Sequence, residues 1–285
     1  MNAPLILTPP AFDLRGFFGS YKCRPDVSNE DYHRDRTCVS CSGLKQILRS
    51  PAHYQAHLRG ENRKETPTMA LGTAIHTRLL EPYRFFEDYI QSPHGDRRSK
   101  KYKNFVEANP GKHILTPDQW LMLEGITQSV STHKSARSLL LSGLVEHTLI
   151  WEDPITGIWL KIRPDNLNND LDDGICTDIK STEDASSFAF GRSSVTYDYD
   201  LQAAMYLEGL RICFGRDFDF CFLAIEKEPP YGISMYGAPA TMLERGLRRY
   251  RYALNVLANC RKTNKWPGYQ PDGDFALLDW PSWAT

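Results

Sequence analysis

Asp178 and Lys180 are separated by one residue in the run Thr177-Asp178-Ile179-Lys180, and thirteen positions before Asp178 a second aspartate, Asp165, follows a proline. On a strand, side chains two apart share a face, so Asp178 and Lys180 project together while Ile179 turns into the core. If the strand-like runs 159–163 and 175–179 pair as a hairpin, Asp165 is carried beside them. Two carboxylates and an ammonium then converge. Such a set suits Mg²⁺, a hard cation that takes carboxylate oxygens and keeps several waters. A bound metal of this kind polarises a phosphoryl oxygen and generates hydroxide from water near neutral pH. Lys180 can either orient the attacking water or offset charge on the phosphate in the transition state. The chemistry predicted is hydrolysis of a phosphodiester. Taken alone, an Asp-x-Lys pair is more often a surface ion pair of little worth. The Pro-Asp at hairpin distance is what turns the reading.

The elements that must hold these residues are legible in outline. Ser40 or Ser42 can cap a helix carrying Leu44, Ile47 and Leu48, which Pro51 interrupts. Leu71, Ile75 and Leu79 mark a second helix, with His76 about 100° of rotation from Ile75. Residues 92–113 form a basic stretch expected as a surface arm, and 117–142 reads as helical. Strand-like runs follow at 148–151, 159–163, 175–179 and 218–225, with turn signals at Asp153-Pro154 and between Asn168 and Gly174. A helix is predicted from Tyr199 and a long amphipathic one over 239–260. Strand and helix do not alternate regularly, so the fold class expected is α/β with an α+β-like order: a central mixed sheet flanked by helices, with helical additions on the N-terminal side. Residues 1–20, with Pro4, Pro9 and Pro10, are expected as a loosely held arm, and 21–285 as one domain of ordinary size.

Composition excludes several classes. At 41% hydrophobic and 24% charged residues the chain is neither disordered nor collagen-like. It has no apolar run of the roughly 18 residues that a membrane helix requires, and with its seven scattered cysteines it is expected in a reducing, cytoplasmic compartment. The net charge of -1 does not announce a nucleic-acid binder, although an enzyme that encloses a polyanion needs a basic channel only locally.

A set of longer motifs makes the reading specific. Lys161-Ile162-Arg163-Pro164-Asp165, Thr177-Asp178-Ile179-Lys180-Ser181-Thr182 and Tyr199-Asp200-Leu201-Gln202-Ala203-Ala204-Met205-Tyr206 resemble the nuclease domain of the RecE (exonuclease VIII) family. That family is a branch of the PD-(D/E)XK superfamily with the restriction-endonuclease-like core, related to RecB-type and lambda-exonuclease-type nucleases. Upstream, Ser28-Asn29-Glu30-Asp31-Tyr32-His33, Ser40-Cys41-Ser42-Gly43-Leu44, Ser50-Pro51-Ala52-His53-Tyr54 and Leu71-Gly72-Thr73-Ala74-Ile75-His76 are similar to the family in the same order. So are Trp266-Pro267-Gly268-Tyr269 and Leu278-Asp279-Trp280-Pro281-Ser282-Trp283-Ala284 near the end. The chain departs from the pattern in having Lys161-Ile162 where the family often has a glycine before the arginine.

The resemblance implies that His76 joins Asp165 and Asp178 around one or two metal ions, that the Ile179 carbonyl is a further ligand, and that Lys180 is the catalytic lysine. Histidine among the ligands makes Mn²⁺ a natural substitute for Mg²⁺. Gln202 and Tyr206, four apart on one helical face, match the Q-x-x-x-Y signature of RecB-type nucleases and would hold the scissile strand or orient the lysine. Glu146, near the start of the first strand, is a candidate acid just outside the ligand set. The activity implied is exonucleolytic, from double-stranded DNA ends with 5′ to 3′ polarity, leaving a 3′ single strand for a phage-type annealing or recombination partner. A ring-shaped homo-oligomer, such as a tetramer, is expected with it. The rivals are an endonuclease on the same core and a catalytically idle DNA-binding module.

Three further features weigh less. Cys38 and Cys41, with Cys23 and Cys260, lack the second pair a structural zinc requires. The basic residues Arg97, Arg98, Lys100, Lys101 and Lys103, and the set Arg245, Arg248, Arg249 and Arg251, could contact phosphates, but such runs are usually solvated faces. No Gly-rich phosphate loop precedes a helix.

Overall fold

The computed structural model of the chain describes residues 21–24, 27–61, 66–168, 174–270, 272, 273, 275 and 277–279. β1 (Tyr21–Arg24) leads into α1 (Asn29–Arg34), α2 (Cys41–Arg49) and α3 (Pro51–Leu58). Next come α4 (Pro67–Leu80), α5 (Pro82–Asp88), β2 (Tyr89–Gln91), α6 (Lys100–Ala108), β3 (His113–Leu115), α7 (Pro117–Thr132) and α8 (Lys134–Leu141). A strand-rich stretch then holds β4 (Leu144–Val145), β5 (Thr148–Glu152), β6 (Trp159–Ile162), β7 (Asn166–Asn168) and β8 (Ile175–Thr182). The last elements are α9 (Ser187–Thr196), α10 (Tyr199–Phe214), β9 (Asp219–Glu226), β10 (Ile233–Gly237) and α11 (Ala240–Thr263).

Local signals explain where these helices start. Ser40 caps α2 through its hydroxyl. Ser50 serves two helices: its N–H donates to Gln46 O at 3.0 Å, closing α2, and its Oγ accepts from His53 N at 3.3 Å, opening α3 at Pro51. Proline at the first helical position also starts α4 and α7, where its missing N–H costs nothing.

The main sheet has the order β10-β9-β8-β7-β4, with β8 and β9 parallel and the other pairs antiparallel, so it is mixed, as expected. Period-two alternation on β9 splits the core in two. Phe220, Phe222 and Ala224 face a cluster that includes Leu201 and Met205 of α10, while Leu223 and Ile225 face one built on Ile75 of α4 and Leu123 and Ile126 of α7. A second sheet, β1-β5-β6, brings Trp151 beneath α10. The approach there is close enough that a Cβ on Gly209 would lie 2.6 Å from the Trp151 ring. α11 closes on α10 as tightly, since a Cβ on Gly246 would fall 2.0 Å from the Asp200 carbonyl oxygen.

Several expectations are corrected. The hairpin that brings Asp165 to β8 is made by β7, not by the 159–163 run, which pairs with β5 in the second sheet. β7 overlaps the expected turn only at Asn168, and its three residues, Asn-Leu-Asn, are too few to show strand alternation. Residues 92–113 are not an arm: Ser92 and Tyr102 are buried, and α6 lies between two strands that pair in parallel. The helical stretch over 117–142 breaks at His133 into two helices. The arm assigned to residues 1–20, the turn over 169–173 and the tail 280–284 lie outside the described residues.

Candidate metal centre

Register builds the site. Asn166 pairs with Thr177 in the antiparallel β7–β8 ladder, so continuing one step sets Asp165 across from Asp178. Asp178 and Lys180 share the face of β8 that also carries Cys176, the α10 side, and Ile179 is buried in the other cluster with Ile75. From α4, His76 reaches Asp165, with Nδ1 3.3 Å from Oδ1. Asp165 Oδ2 accepts the Ile179 N–H at 2.6 Å.

Glu146 occupies the fourth side. It takes a left-handed backbone, φ 53°, and its N–H donates to the Asp165 carbonyl at 3.2 Å. Arg163 holds it by an Nε–Oε2 ion pair of 2.6 Å, with Nε also donating to the Glu146 carbonyl at 3.1 Å. Ligand atoms of His76, Glu146 and Asp165 all lie within 4.8 Å of one another. Among the described residues, these three form a set that can hold a single cation. Asp178 is engaged elsewhere: Oδ1 accepts from Gln202 Nε2 at 2.6 Å, and Oδ2 forms an ion pair of 2.5 Å with Lys180 Nζ. Lys180 Nζ also donates to Gln202 Oε1 at 3.1 Å.

Electrostatics mark this as a strained collection of acids. Burial pushes Glu146 up, the Asp165 carboxylate adds to it, and the result is about 7. Burial likewise raises Asp178, aided by Asp165 and opposed by Lys180. Burial works to lower His76, but Asp165, Glu146 and Asp178 prevail and push it up to about 9. Asp165 is held below the usual carboxylate range despite burial, by His76, Lys180 and the Ile179 N–H. Lys180 stays charged, because its acidic neighbours outweigh its desolvation. Carboxylates that repel one another while hydrogen-bonding only in part are what a divalent cation relieves. The donor set, one imidazole and two carboxylates with a third nearby, fits Mg²⁺ or Mn²⁺.

Of the residues expected from sequence, His76, Asp165, Asp178, Lys180 and Gln202 are thus brought together, and Ile179 contributes its N–H to Asp165. Tyr206 is not among them. It is buried, and its hydroxyl donates to the Arg163 carbonyl at 3.4 Å, bracing the backbone just before Pro164. Glu146 belongs closer in than the sequence reading set it; the Arg163 that follows β6 is its partner, and no short-range pattern reveals that. Lys161, in the Lys161-Ile162 pair where the chain departs from the motif pattern, buries its ammonium against the Tyr32 and Asp35 carbonyls and fastens β6 to the end of α1. Three of the four α11 arginines weighed as possible phosphate contacts are bound to acids: Arg245 and Arg249 to Asp200, Arg249 also to Asp198, and Arg251 to Asp153 and Glu208. Cys38 and Cys41 are free thiols, one half-buried and one buried.

A mixed sheet with a Pro-Asp, an Asp-x-Lys and a converging histidine and glutamate defines a PD-(D/E)XK-type centre. The chain belongs to the family described as PDDEXK-like domain of unknown function (DUF3799), whose model matches residues 40–275. Among solved structures, a protein from Eubacterium rectale described as a candidate exonuclease is similar over 90% of this chain and 94% of its own, at 14% identity and a TM-score of 0.59. At that identity the likeness shows the fold. SSO0001 is similar over 78% of this chain and 77% of its own at 12% identity, with a TM-score of 0.35, too low to argue from. No curated protein matches by sequence. Among the described residues, no helix is long and apolar enough to cross a membrane.

Proposed function

We propose that the chain is a metal-dependent DNA exonuclease of the RecE type, which hydrolyses phosphodiester bonds from double-stranded ends, 5′ to 3′, and leaves a 3′ single strand for a recombination partner. The observation that carries it is the meeting of His76, Glu146 and Asp165 beside the Asp178–Lys180–Gln202 triangle. His76, Glu146 and Asp165 would hold Mg²⁺ or Mn²⁺, and Asp178 would join them only by exchanging its Lys180 and Gln202 partners for the metal. When bound, the cation supplies Lewis-acid polarisation of the phosphate and lowers the pKa of water. Lys180 keeps its proton and presents positive charge where the phosphate gains negative charge. Gln202 fixes that ammonium by accepting from it, and uses its amide N–H to fix Asp178. The left-handed turn at Glu146 and the Ile179 N–H hold the remaining acids in register. The E. rectale neighbour's description as a candidate exonuclease supports the end-dependent reading. A ring of identical subunits is proposed with it, because enclosure keeps the enzyme on its track between cuts.

The test is digestion of end-labelled linear duplex and of covalently closed circular DNA with Mg²⁺ or Mn²⁺. Linear DNA is expected to shorten from its 5′ ends and the circle to survive. Cutting of the circle would replace the exonuclease by an endonuclease on the same centre, and no cutting of either by metal-loaded protein would leave a DNA-binding module.

A further inference from the structure

Lys180 does not sit in an open acidic cup. Its ammonium lies 4.7 Å from the centroid of the Tyr199 ring. Tyr199 stacks inward on Phe222 of β9 (centroids 5.5 Å apart, planes 24° from parallel) and outward on Tyr197 (5.9 Å, 28°). A file of rings thus runs from the core, past the amine of the candidate centre, to the surface. Its last member, Tyr197, is 59% exposed.

A lone exposed tyrosine is ordinary. This one differs in how it is held. Tyr197 ends α9 with its N–H on the Ser193 carbonyl at 2.9 Å, and its own carbonyl accepts from Lys45 Nζ of α2 at 2.5 Å. The next residue, Asp198, takes a left-handed backbone at the start of α10 and is fixed by Arg249 at 2.5 Å. Both flanks of the tyrosine are therefore clamped by cations from other helices, while the ring itself is left toward solvent. α9 exposes Phe188 and Val195 as well, at 76% and 56%.

An immobilised aromatic face beside ammonium groups, one ring away from a phosphate-cleaving centre, has a natural occupant. Nucleobases stack on such rings without regard to sequence, and neighbouring cations serve the phosphates that link them. A base still paired within a duplex has both faces covered by its neighbours; an unpaired base has a face to give. We infer that Tyr197, stacked on Tyr199 beside Lys180, is the platform for an unpaired base of the strand entering the candidate centre. This rests on the nuclease reading and sharpens it: the strand engaged at the centre is single.

Binding without turnover tests this separately from cutting. A single-stranded oligonucleotide bearing 2-aminopurine is titrated with the full-length protein in Ca²⁺, following anisotropy and base fluorescence. Tyr197→Ala is expected to weaken binding about tenfold, the loss of one base–aromatic stack, and to remove the quenching. Tyr197→Phe should keep both, and a blunt duplex should respond less than the single strand. Hydrolysis of methyl p-nitrophenyl phosphate, which has no base to stack, should be the same in Tyr197→Ala as in wild type. Equal affinity and quenching in wild type and Tyr197→Ala overturns the platform, as does failure of the wild type to bind the single strand. If instead the tenfold loss appears but no phosphodiester is cut by the wild type, the nuclease reading falls and the platform stands as a strand-binding site.

Discussion

α10 contributes to two clusters of charged groups that are nearly alike in inventory and opposite in character. In the candidate centre, Glu146, Asp165, Asp178 and their surroundings face Lys180, Arg163 and His76. Between α10 and α11, Asp153, Asp198, Asp200 and Glu208 face Arg245, Arg249 and Arg251. Counting acids against bases does not separate the two. Arrangement does. In the second cluster each acid meets a guanidinium, which is permanently charged and forked to match a carboxylate. Asp153 is held below the usual carboxylate range despite desolvation, by Thr156 and by Arg251. In the first, acids face one another, Glu146 rises to about 7, and part of the counter-charge is a histidine that must give up its proton to bind a metal. One cluster is complete and stabilises the fold; the other is incomplete and can take a cation.

The sharpest way to break that distinction is a pair of substitutions with crossed effects. Lys180→Ala or Asp165→Ala should lower cleavage of linear duplex by a factor of hundreds or more, the loss of one preorganised charge at a transition state, with a smaller drop in unfolding midpoint than Arg251→Ala gives. Arg251→Ala should do the reverse. It strips Asp153, which is fully buried, and Glu208 of their shared guanidinium, and should lower stability by about 3 kcal/mol with cleavage at low temperature retained. Urea denaturation and a labelled-end assay on all three variants decide it. Should Lys180→Ala prove as destabilising as Arg251→Ala, both clusters would be structural.

Metal binding sharpens the comparison further. At a hundred times the dissociation constant, Mn²⁺ or Mg²⁺ is expected to stabilise the wild type by about 2.7 kcal/mol, seen as a rise in unfolding temperature that Asp165→Ala abolishes. Because His76, at about 9, and Glu146, at about 7, must both be deprotonated as ligands, the apparent affinity should climb from pH 6 to pH 9. A flat profile in isothermal titration would mean that the cation avoids both groups.

How much of this was legible beforehand follows from range. Asp178, Ile179 and Lys180 could be placed on two faces of one strand because period two is local. The helix of His76 was visible from Leu71, Ile75 and Leu79 for the same reason. The Q-x-x-x-Y spacing puts Gln202 and Tyr206 on one helical face, but spacing does not tell what each meets: Gln202 reaches Asp178 and Lys180, and Tyr206 the Arg163 carbonyl. β7 and β10 escaped notice: three residues of Asn-Leu-Asn carry no alternation, and Ile233–Gly237 is only half buried along its length. The ring file at Tyr197 and Tyr199 and the role of Glu146 depend on a left-handed residue each, at Asp198 and at Glu146 itself. Aspartate and glutamate adopt that backbone without glycine's signature, so nothing in the sequence flags the turn. The ion pairs of the α11 arginines could not be read from the sequence because their partners, Asp153, Asp198, Asp200 and Glu208, sit on other elements.

The smallest effect probes the complete cluster by acid. Burial favours the neutral form of Asp153, but the Thr156 hydroxyl at 2.6 Å, the Thr156 N–H at 2.8 Å and Arg251 at 2.5 Å favour its anion more, so its pKa in the folded chain falls below 3.8. A carboxyl with a depressed folded pKa binds protons more readily once unfolded, so its stabilising contribution is full above 3.8 and is lost as pH falls through the folded value. Asp153→Asn keeps an acceptor for Thr156 and lacks the charge for Arg251. Its stability should therefore lie a constant amount below wild type from pH 7 to about 5, and the two urea midpoints should converge as the pH drops under 3.8. A gap that persists undiminished into stronger acid would mean that the side chain holds its place by shape and hydrogen bonding, and that the guanidinium beside it contributes little as a charge.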